Sequence, residues 1–294
     1  MHQPHDQMRF SVIVPAYNEA AYLDRALDSL LHQDYDGEYE VIVVDNNSSD
    51  DTAAIAARYG VRVVSEPEQG VCAARQRGAD CARGEIIIST DADTTQPRDW
   101  LRTIDGRFAE SERVVAVAGP CRYKNPSWWA KAFPILLFGL VAAIHALTGF
   151  VFYVSATNFA IRRTAFPGYD LNLTQGGDEL DLLRRLRRRG QVSWERHNVV
   201  TTSARRLQRG LLYNLFVTFL VYYVLAYWLN RLSQRQTFGM APAFRHERRR
   251  PFVSVWARRR VVLGILVVGL TSLGFATGAG GAAVDSLANF WHGP

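Results

Sequence analysis

The chain has 294 residues, which is enough for one α/β domain of about 200 residues and a smaller appended region. Its formal net charge of +6 comes from arginine clusters beside long apolar segments, a pattern that favours an anionic membrane face as partner. We expect no nucleic-acid partner, because the sequence carries no recognition motif for one. The three cysteines, Cys72, Cys81 and Cys121, lack CxxC spacing, so neither a disulfide framework nor a zinc site is expected and a reducing cytoplasm fits.

Residues 1–8 are polar and are expected to form a disordered tail. After them, short apolar runs with β-branched residues alternate with segments of helical periodicity. The predicted strands cover residues 10–15, 39–44, 61–64, 85–89 and 114–118. The first predicted helix has one apolar stripe, formed by Leu23, Ala26, Leu27, Leu30 and Leu31. Two further helices are predicted over residues 52–59 and 71–82.

Local signals predict where these helices begin and end. Ser48 and Asp51 have the spacing of a capping box ahead of Thr52, with Asp in place of the usual Glu. Gly60 is placed to close that helix, and Pro97 suits the first turn of another one.

The alternation of strands and helices predicts an α/β fold with a mainly parallel, Rossmann-like sheet and helices on both faces. In such sheets, ligands bind beyond the carboxyl ends of the strands. Polar segments follow four of the predicted strands, at residues 15–19, 45–49, 66–70 and 91–93. We therefore expect the functional site at this edge of the sheet.

Asp91 and Asp93 follow the apolar strand of residues 86–88 with one residue between them. Alternating carboxylates after a strand can present oxygen atoms to a hard divalent cation, Mg²⁺ or Mn²⁺, which would bridge and neutralise a diphosphate. An isolated Asp-x-Asp is also common in solvated turns. Its position beside the polar strand ends favours the metal site.

Three ordered motifs carry a resemblance to a known family, at residues 12–19 (VIVPAYNE), 41–50 (VIVVDNNSSD) and 84–93 (GEIIISTDAD). They resemble family-2 glycosyltransferases with the GT-A fold, and the match extends from about Arg9 to Trp100 and resumes at residues 157–189. The resemblance implies an inverting enzyme that uses a nucleotide-sugar donor and a divalent metal.

The resemblance also implies roles for individual residues. Asp91 and Asp93 would lie at the metal and the diphosphate, and Gly78 on the donor side. The residues expected around the nucleotide-sugar are Pro15, Ala16, Tyr17, Glu19, Asp45, Asn47, Gly70, Arg75 and Ala92. From its sequence position alone, Arg75 fits a surface position on a helix equally well.

Asp178 and Glu179 precede a basic helical segment at residues 182–189. Acids at a helix start often only complement the helix dipole. The resembled family has a Glu-Asp pair here whose second member is usually the general base, and this chain has the reversed order. The alignment favours Glu179 as the base and leaves Asp178 open. A base is needed for a hydroxyl acceptor, whereas a phosphate acceptor is already ionised.

Arg205 and Arg206 belong to a Ser-x-Arg-Arg element at residues 203–206, which resembles one that follows the acid pair in membrane-bound relatives. Their guanidinium groups could hold the donor diphosphate or an acceptor phosphate by bidentate contacts. Alternatively, they are the positive flank of the next apolar segment, and both readings can hold together.

The apolar segment 132–153 is long enough to cross a bilayer, yet it lies between Asp93 and Glu179, which must share one site. We therefore expect it to be interfacial, re-entrant or packed against other helices, and to form the approach for a lipid-linked acceptor. Trp128 and Trp129 suit a membrane interface, although a buried aromatic pair is the plain alternative.

Two further apolar segments, 211–229 and 261–278, flank an arginine-rich connection. By the positive-inside rule that connection is cytoplasmic, and the catalytic domain is expected there too. Segment 211–229 is then predicted to be interfacial or re-entrant, and residues 261–283 form the transmembrane candidate. This assigns the chain to the inner or plasma membrane.

The predicted organisation is a GT-A domain at residues 9–205, with a donor half at 9–120 and an acceptor half at 121–205, followed by membrane-associated helices at 206–294. The leading function is transfer of one sugar from a UDP-, GDP- or dTDP-sugar to a membrane- or lipid-linked acceptor in envelope glycan or glycolipid synthesis. A polyprenyl-phosphate glycosyl synthase is the close alternative. A processive synthase, a sugar nucleotidyltransferase and a non-catalytic nucleotide- or glycan-binding membrane protein fit the motifs less well.

Overall fold

A computed structural model describes residues 8–171 and 178–205 and the isolated positions 207, 210, 213 and 221. The strands are β1 (Phe10–Ala16), β2 (Tyr39–Asp45), β3 (Arg62–Ser65), β4 (Ile86–Ser89), β5 (Val114–Ala118), β6 (Cys121–Lys124), β7 (Phe159–Arg162), β8 (Gln191–Trp194) and β9 (Val200–Ser203). The helices are α1 (Ala20–Leu31), α2 (Thr52–Arg58), α3 (Val71–Cys81), α4 (Trp100–Ala109), α5 (Trp128–Thr148) and α6 (Asp178–Leu186).

Within the described residues, seven strands form one sheet in the order β3-β2-β1-β4-β7-β5-β8. Strand β1 pairs in parallel with β2 and β4, whereas β7 runs antiparallel between β4 and β5. Strands β6 and β9 form a separate parallel pair. The predicted mainly parallel α/β fold is therefore confirmed, and all five predicted strands are present within one or two residues of their expected ends.

Alternation along the strands explains how the sheet buries helices on both faces. On β1, Val12 and Val14 belong to the large core that includes Leu23 and Leu27 of α1. Ile13 points to the other face, where it packs in a second core with Ala74 of α3. Successive side chains of a strand point to opposite faces, so one strand contributes to both cores.

Four members of the predicted apolar stripe of α1 are buried, and the fifth, Leu31 at the last position of the helix, is 38% exposed. Two other local expectations are corrected by the structure. The hydroxyl of Ser48 accepts a hydrogen bond from the backbone N–H of Asn18 instead of capping α2, so the predicted capping box is absent. Pro97 precedes α4 by three residues, and its carbonyl accepts the N–H of Trp100 in the turn before the helix.

Gly78 allows α3 to lie against the sheet. A Cβ atom at this position would be 2.3 Å from Cγ2 of Ile13 and 3.1 Å from Cγ2 of Val44. Both neighbours are buried and β-branched, so their side chains have little freedom to move away. The structure therefore explains Gly78 by close packing of the helix on the strand.

Helix α5 is the one helix of the described residues that is long and apolar enough to cross a membrane, judged by length and composition. Its narrow inner face packs on the domain through Ala130, Pro134, Phe138 and Val141. The ring of Phe138 stacks on that of Trp194 of β8, with 5.7 Å between the ring centroids.

The predictions for Trp128 and for the two later apolar segments compare with the structure as follows. Trp128 is 82% exposed, so the alternative of a buried aromatic pair is wrong. The predicted segments 211–229 and 261–283 lie outside the described residues, apart from positions 213 and 221.

We expect Gly78→Ala to lower the free energy of unfolding by about 1–3 kcal/mol, because the added methyl group overpacks the contact with Ile13. Urea unfolding followed by circular dichroism measures the change. The matched control is Gly106→Ala in α4, where no atom lies within 4 Å of the new Cβ and helix propensity predicts a gain of up to about 1 kcal/mol. Equal effects of the two variants would contradict the packing role of Gly78.

Candidate functional site

The candidate site lies at the carboxyl ends of three adjacent parallel strands. Strand β1 ends at Ala16, β2 at Asp45, and β4 two residues before Asp91. The parallel pairing of β1 with β2 and β4 brings these ends to one edge of the sheet. Tyr17, Asp45 and Asp91 follow or end these strands, so the structure brings them together at the edge where the sequence predicted the site.

Hydrogen bonds join the loop after β1 to the loop after β2. The N–H of Asn18 donates to Ser48 Oγ at 3.0 Å, and the N–H of Ser49 donates back to Asn18 Oδ1 at 2.7 Å. The N–H of Glu19 donates to Thr52 Oγ1 at 2.8 Å. Asn18 and Asn47 both have positive φ, 53° and 63°, a backbone region that asparagine tolerates better than most residues. These hydrogen bonds therefore fix the loops after β1 and β2, the braced loops of the predicted donor side, to each other.

Asn46 is a supporting residue to which the sequence analysis assigned no role. Its side-chain amide donates to the carbonyls of Glu66 and Glu68 at 2.9 and 2.6 Å, and its Oδ1 accepts the N–H of Gly70 at 2.8 Å. This buried side chain thus holds the loop before α3 against the end of β2. The only sequence signal was a polar residue directly after a strand-ending Asp45.

Arg75 connects Asp91, a predicted metal ligand, to Glu179, the predicted general base. Its Nη2 lies 3.1 Å from Asp91 Oδ1, and its Nη1 lies 3.7 Å from Glu179 Oε1. Arg75 is 4% exposed, so the alternative of a surface helix residue is wrong. A buried guanidinium between two carboxylates is stabilised by both, and it places α6 opposite the end of β4.

A second arginine, Arg205, links two other carboxylates of the site. It contacts Glu19 through two hydrogen bonds of 2.5 and 2.7 Å and lies 3.0 Å from Asp93 Oδ2. Burial acts to lower the pKa of Arg205, but the hydrogen bonds to Glu19 and the nearby carboxylate charges outweigh it and raise the pKa. The guanidinium also lies over the ring of Tyr22, 4.8 Å from its centroid. Arg205 is therefore a charged part of the site.

A backbone bridge explains how Arg205 reaches Asp93. Thr95 and Thr201 exchange backbone hydrogen bonds of 2.8 and 2.9 Å, which attach the chain after Asp93 to β9. The next residue, Thr202, donates its hydroxyl to Asp93 Oδ1 at 3.2 Å. No pattern in the sequence indicated this pairing across about a hundred residues.

The oxygen atoms of Asp91 and Asp93 fit a hard divalent cation, because Mg²⁺ and Mn²⁺ bind carboxylates and complete their shells with water and phosphate. Among the described residues, no group of three or more His, Cys, Asp or Glu side chains could hold a metal by itself. Asp93 contacts Arg205, so a cation there would compete with the guanidinium.

A cavity of about 440 Å³ adjoins Asp93 and the phosphate-binding candidate Arg205. Three basic side chains, Arg25, Lys124 and Arg205, lie in its wall, which suits a phosphate-bearing ligand. The remaining lining residues are Tyr22, Thr95, Asn125, Ser127, Trp129, Thr201, Thr202, Ser203, Ala204, Leu207 and Gly210. The cavity therefore joins donor-half residues to the start of α5.

Other predicted site residues have different environments. Ala92 is 3% exposed and packs in the core, so only its backbone could face a ligand. Pro15 is half-buried near the end of β1, and Asn47 is exposed. The side chain of Asp178 and all of Arg206 lie outside the described residues.

Comparison with known proteins places this arrangement in a family. Residues 11–169, more than half of the chain, match the model for glycosyl transferase family 2, and the chain belongs to this family. The mannosyltransferase PcManGT of Pyrobaculum calidifontis, solved with GDP-Man and Mn²⁺, superimposes with a TM-score of 0.55. The identity is 24%, and the match covers 67% of this chain and 57% of that chain. This likeness shows the GT-A fold, so the resemblance seen in the motifs is confirmed.

Curated relatives match parts of the chain. Glycosyltransferase AglE of Haloferax volcanii is 36% identical over 98 residues, which are 31% of this chain and 32% of that protein. Glucosyl-dolichyl phosphate glucuronosyltransferase of the same organism is 27% identical over 191 residues, 58% of this chain and 59% of that protein. The match thus spans about a third of the first relative and three fifths of the second.

We expect Arg205→Ala to lower the free energy of unfolding by about 2–4 kcal/mol, because it leaves Glu19 and Asp93 as neighbouring, mostly buried carboxylates. Glu19→Gln should lower the free energy of unfolding by a smaller amount, since Arg205 keeps its contact with Asp93. In urea unfolding, the double variant should cost at least about 1 kcal/mol less than the sum of the two single variants.

The control for this pair is Glu110→Gln, which removes a half-exposed partner of Arg107 and should change stability by less than about 0.5 kcal/mol. Additive effects of the Glu19 and Arg205 substitutions would show that the two side chains are not coupled.

Proposed function

We propose that the protein is an inverting glycosyltransferase that moves one sugar from a nucleotide diphosphate-sugar to a lipid-linked acceptor at the cytoplasmic face of the membrane. The observation that carries the proposal is the pair of shared arginines. Arg75 joins Asp91 to Glu179, and Arg205 joins Glu19 to Asp93. The groups proposed for the donor, the metal and the acceptor therefore belong to one connected site.

The donor side of the proposal uses the braced loops after β1 and β2. Tyr17 and Asp45 would lie at the nucleoside, and Asp91 and Asp93 would hold Mg²⁺ or Mn²⁺ at the diphosphate. When bound, the cation neutralises the negative charge of the leaving diphosphate. The structure of PcManGT with GDP-Man and Mn²⁺ supports this choice of donor and metal. Arg205 would exchange its contact with Asp93 for one with phosphate.

The acceptor side of the proposal assigns Glu179 as general base. The acceptor oxygen forms a bond to the anomeric carbon while the bond from that carbon to the diphosphate oxygen breaks. The hydroxyl proton passes to the Glu179 carboxylate, and the nucleoside diphosphate leaves. A single displacement from the opposite face inverts the anomeric configuration. Fixed placement of both substrates lowers the entropic cost of the step.

A second candidate is a polyprenyl-phosphate glycosyl synthase, in which the acceptor is the lipid phosphate itself. The observation that favours it is the basic wall of the cavity, where Arg25, Lys124 and Arg205 accompany one carboxylate, Asp93. An acceptor phosphate is ionised at neutral pH and does not need Glu179 to remove a proton. The two candidates thus differ in their dependence on Glu179.

The donor test measures nucleotide release from UDP-, GDP- and dTDP-sugars by the full chain in detergent with bacterial membrane lipids. We expect release with one donor that depends on Mg²⁺ or Mn²⁺ and falls about 100-fold or more in Asp93→Asn. The matched control is Asp99→Asn, the same exchange at an exposed position six residues away. If no donor is consumed and none of these nucleotides binds in calorimetry, the proposal is wrong.

The acceptor test compares Glu179→Gln with Asp178→Asn. We expect Glu179→Gln to lower transfer to a hydroxyl acceptor by about 10²–10⁴-fold while nucleotide affinity persists, because only the proton acceptor is lost. The exposed Glu112→Gln is the control. Near-normal transfer by Glu179→Gln contradicts the assignment of this base, and a loss of transfer in Asp178→Asn instead would assign the base to Asp178.

A further inference from the structure

We infer that the outer face of α5 docks on an anionic lipid bilayer and thereby holds the catalytic cavity at the membrane surface. This α5 surface consists of the exposed apolar side chains of the helix and its flanks, namely Trp128, Phe133, Ile135, Leu136, Leu140, Leu147 and Phe150. The inference rests on the proposed function, because a lipid-linked acceptor has to be reached from the bilayer.

Exposed apolar side chains are concentrated on this one segment. Seven of the eleven large apolar side chains that are exposed in the described residues lie between Trp128 and Phe150. Leu136 is 72% exposed and Leu147 is 85% exposed. Soluble monomers rarely expose large contiguous apolar patches, and such patches mark contact sites. The α5 surface therefore needs a partner that is itself apolar.

The helix lies along the domain and does not leave it. Ala130 near its start and Val141 beyond its middle are both fully buried, and the chain after the helix returns to the core at Val151 and Val154. To cross a bilayer alone, α5 would have to withdraw these side chains from the domain. A helix with one face on the protein and the other apolar fits the plane of a membrane interface.

Charge around α5 identifies the bilayer as anionic. Residues 113–169 contain no Asp or Glu, and the basic residues Arg122, Lys124 and Lys131 lie shortly before α5 and in its first turn. Beyond the helix, Arg187 lies over the ring of Phe150, 4.1 Å from its centroid. Each basic residue near an anionic lipid surface strengthens binding by roughly five-fold.

Acidic groups also lie near the C-terminal part of the helix. Arg107 and Arg196 line a cavity of about 450 Å³ beside His145 of α5. Arg107 is paired with Glu195 and with Glu110, so part of its charge is neutralised within the protein. Positive charge beside the helix therefore lies chiefly at its start, with Lys124 and Lys131, and at Arg187 next to Phe150.

The start of α5 joins this surface to the site. Trp129 and Ser127 line the same cavity as Asp93 and Arg205. Next to them, Trp128 is 82% exposed, in the kind of position that tryptophan occupies at membrane interfaces. With α5 on the bilayer, the cavity would open at the level of the lipid headgroups.

The test follows contact of α5 with the bilayer in the full chain reconstituted into vesicles of POPC alone or POPC with 30% POPG, measured as protection of α5 from hydroxyl-radical labelling, without any sugar donor. We expect the double variant Leu136→Gln, Leu140→Gln to lower this protection by at least about 10-fold in the anionic vesicles. The matched control, Leu31→Gln with Val63→Gln, changes two exposed apolar side chains at the other edge of the sheet and should leave α5 protected as in the wild type.

A charge variant makes the test independent of the apolar substitutions. Lys131→Glu should lower the protection of α5 in the POPG vesicles by about 5-fold or more and leave that in POPC unchanged, whereas Arg58→Glu on α2 should have no effect. Nucleotide affinity, measured by calorimetry, should be the same in all these variants, which separates this inference from the proposed function.

Two results would overturn the inference. One is equal protection of α5 in the wild type and both α5 variants in POPG vesicles. The other is a lipid-free dimer of the wild type that the double variant converts to a monomer in light scattering, without a change in the protection of α5 in vesicles. In that case a second copy of the chain, not a bilayer, covers the α5 surface.

Discussion

Two buried arginines, each held between two carboxylates, determine the geometry of the site. Arg75 comes from α3 and contacts Asp91 and Glu179, whereas Arg205 follows β9 and contacts Glu19 and Asp93. A buried charge without a partner costs several kcal/mol, so these contacts are strongly preferred over arrangements that separate the charges. They hold the chain after β7 against the ends of β1 and β4.

The same arginines prepare the site for a phosphate-bearing substrate. A diphosphate brings negative charge to a place where guanidinium groups already point toward carboxylates. In the proposed reaction, Arg205 changes partner from Asp93 to phosphate, so its charge stays compensated throughout. The contact of Arg205 with Glu19 persists in this exchange and keeps the guanidinium oriented, and charged groups that need little reorganisation are a main source of electrostatic catalysis. The raised pKa of Arg205 accords with a permanently charged role.

Helix α5 serves the fold and the proposed membrane contact with different faces. Its inner face closes the core around Phe138 and Trp194, and its outer face leaves large apolar side chains uncovered. An apolar helix of 21 residues would ordinarily be interpreted as a span. Here its neighbours on both sides belong to the same domain, and therefore the helix lies on the surface with the catalytic cavity at its start.

The sequence by itself determined the fold class, the first five strands along the chain and the polar segments that follow β1, β2 and β4. Period-two and helical patterns are local, and the polar residues after β1, β2 and β4 meet because parallel strands end at one edge. The identities of Asp91, Asp93 and Glu179 followed from motifs of a few residues. Arg205 was recognised as a phosphate-binding candidate for the same reason, although its carboxylate partners were not.

Only the tertiary structure decided which of these groups touch. The bridge between Thr95 and Thr201 joins residues about a hundred positions apart, and no periodicity encodes such a pairing. Arg75 is equally compatible with a helix surface until the sheet and α6 bury it. Likewise, periodicity can show that a helix has an apolar stripe, but exposure depends on what packs against it. That is why Leu31 and Trp128 are exposed while Gly78 is enclosed: each outcome depends on neighbours that are distant in sequence.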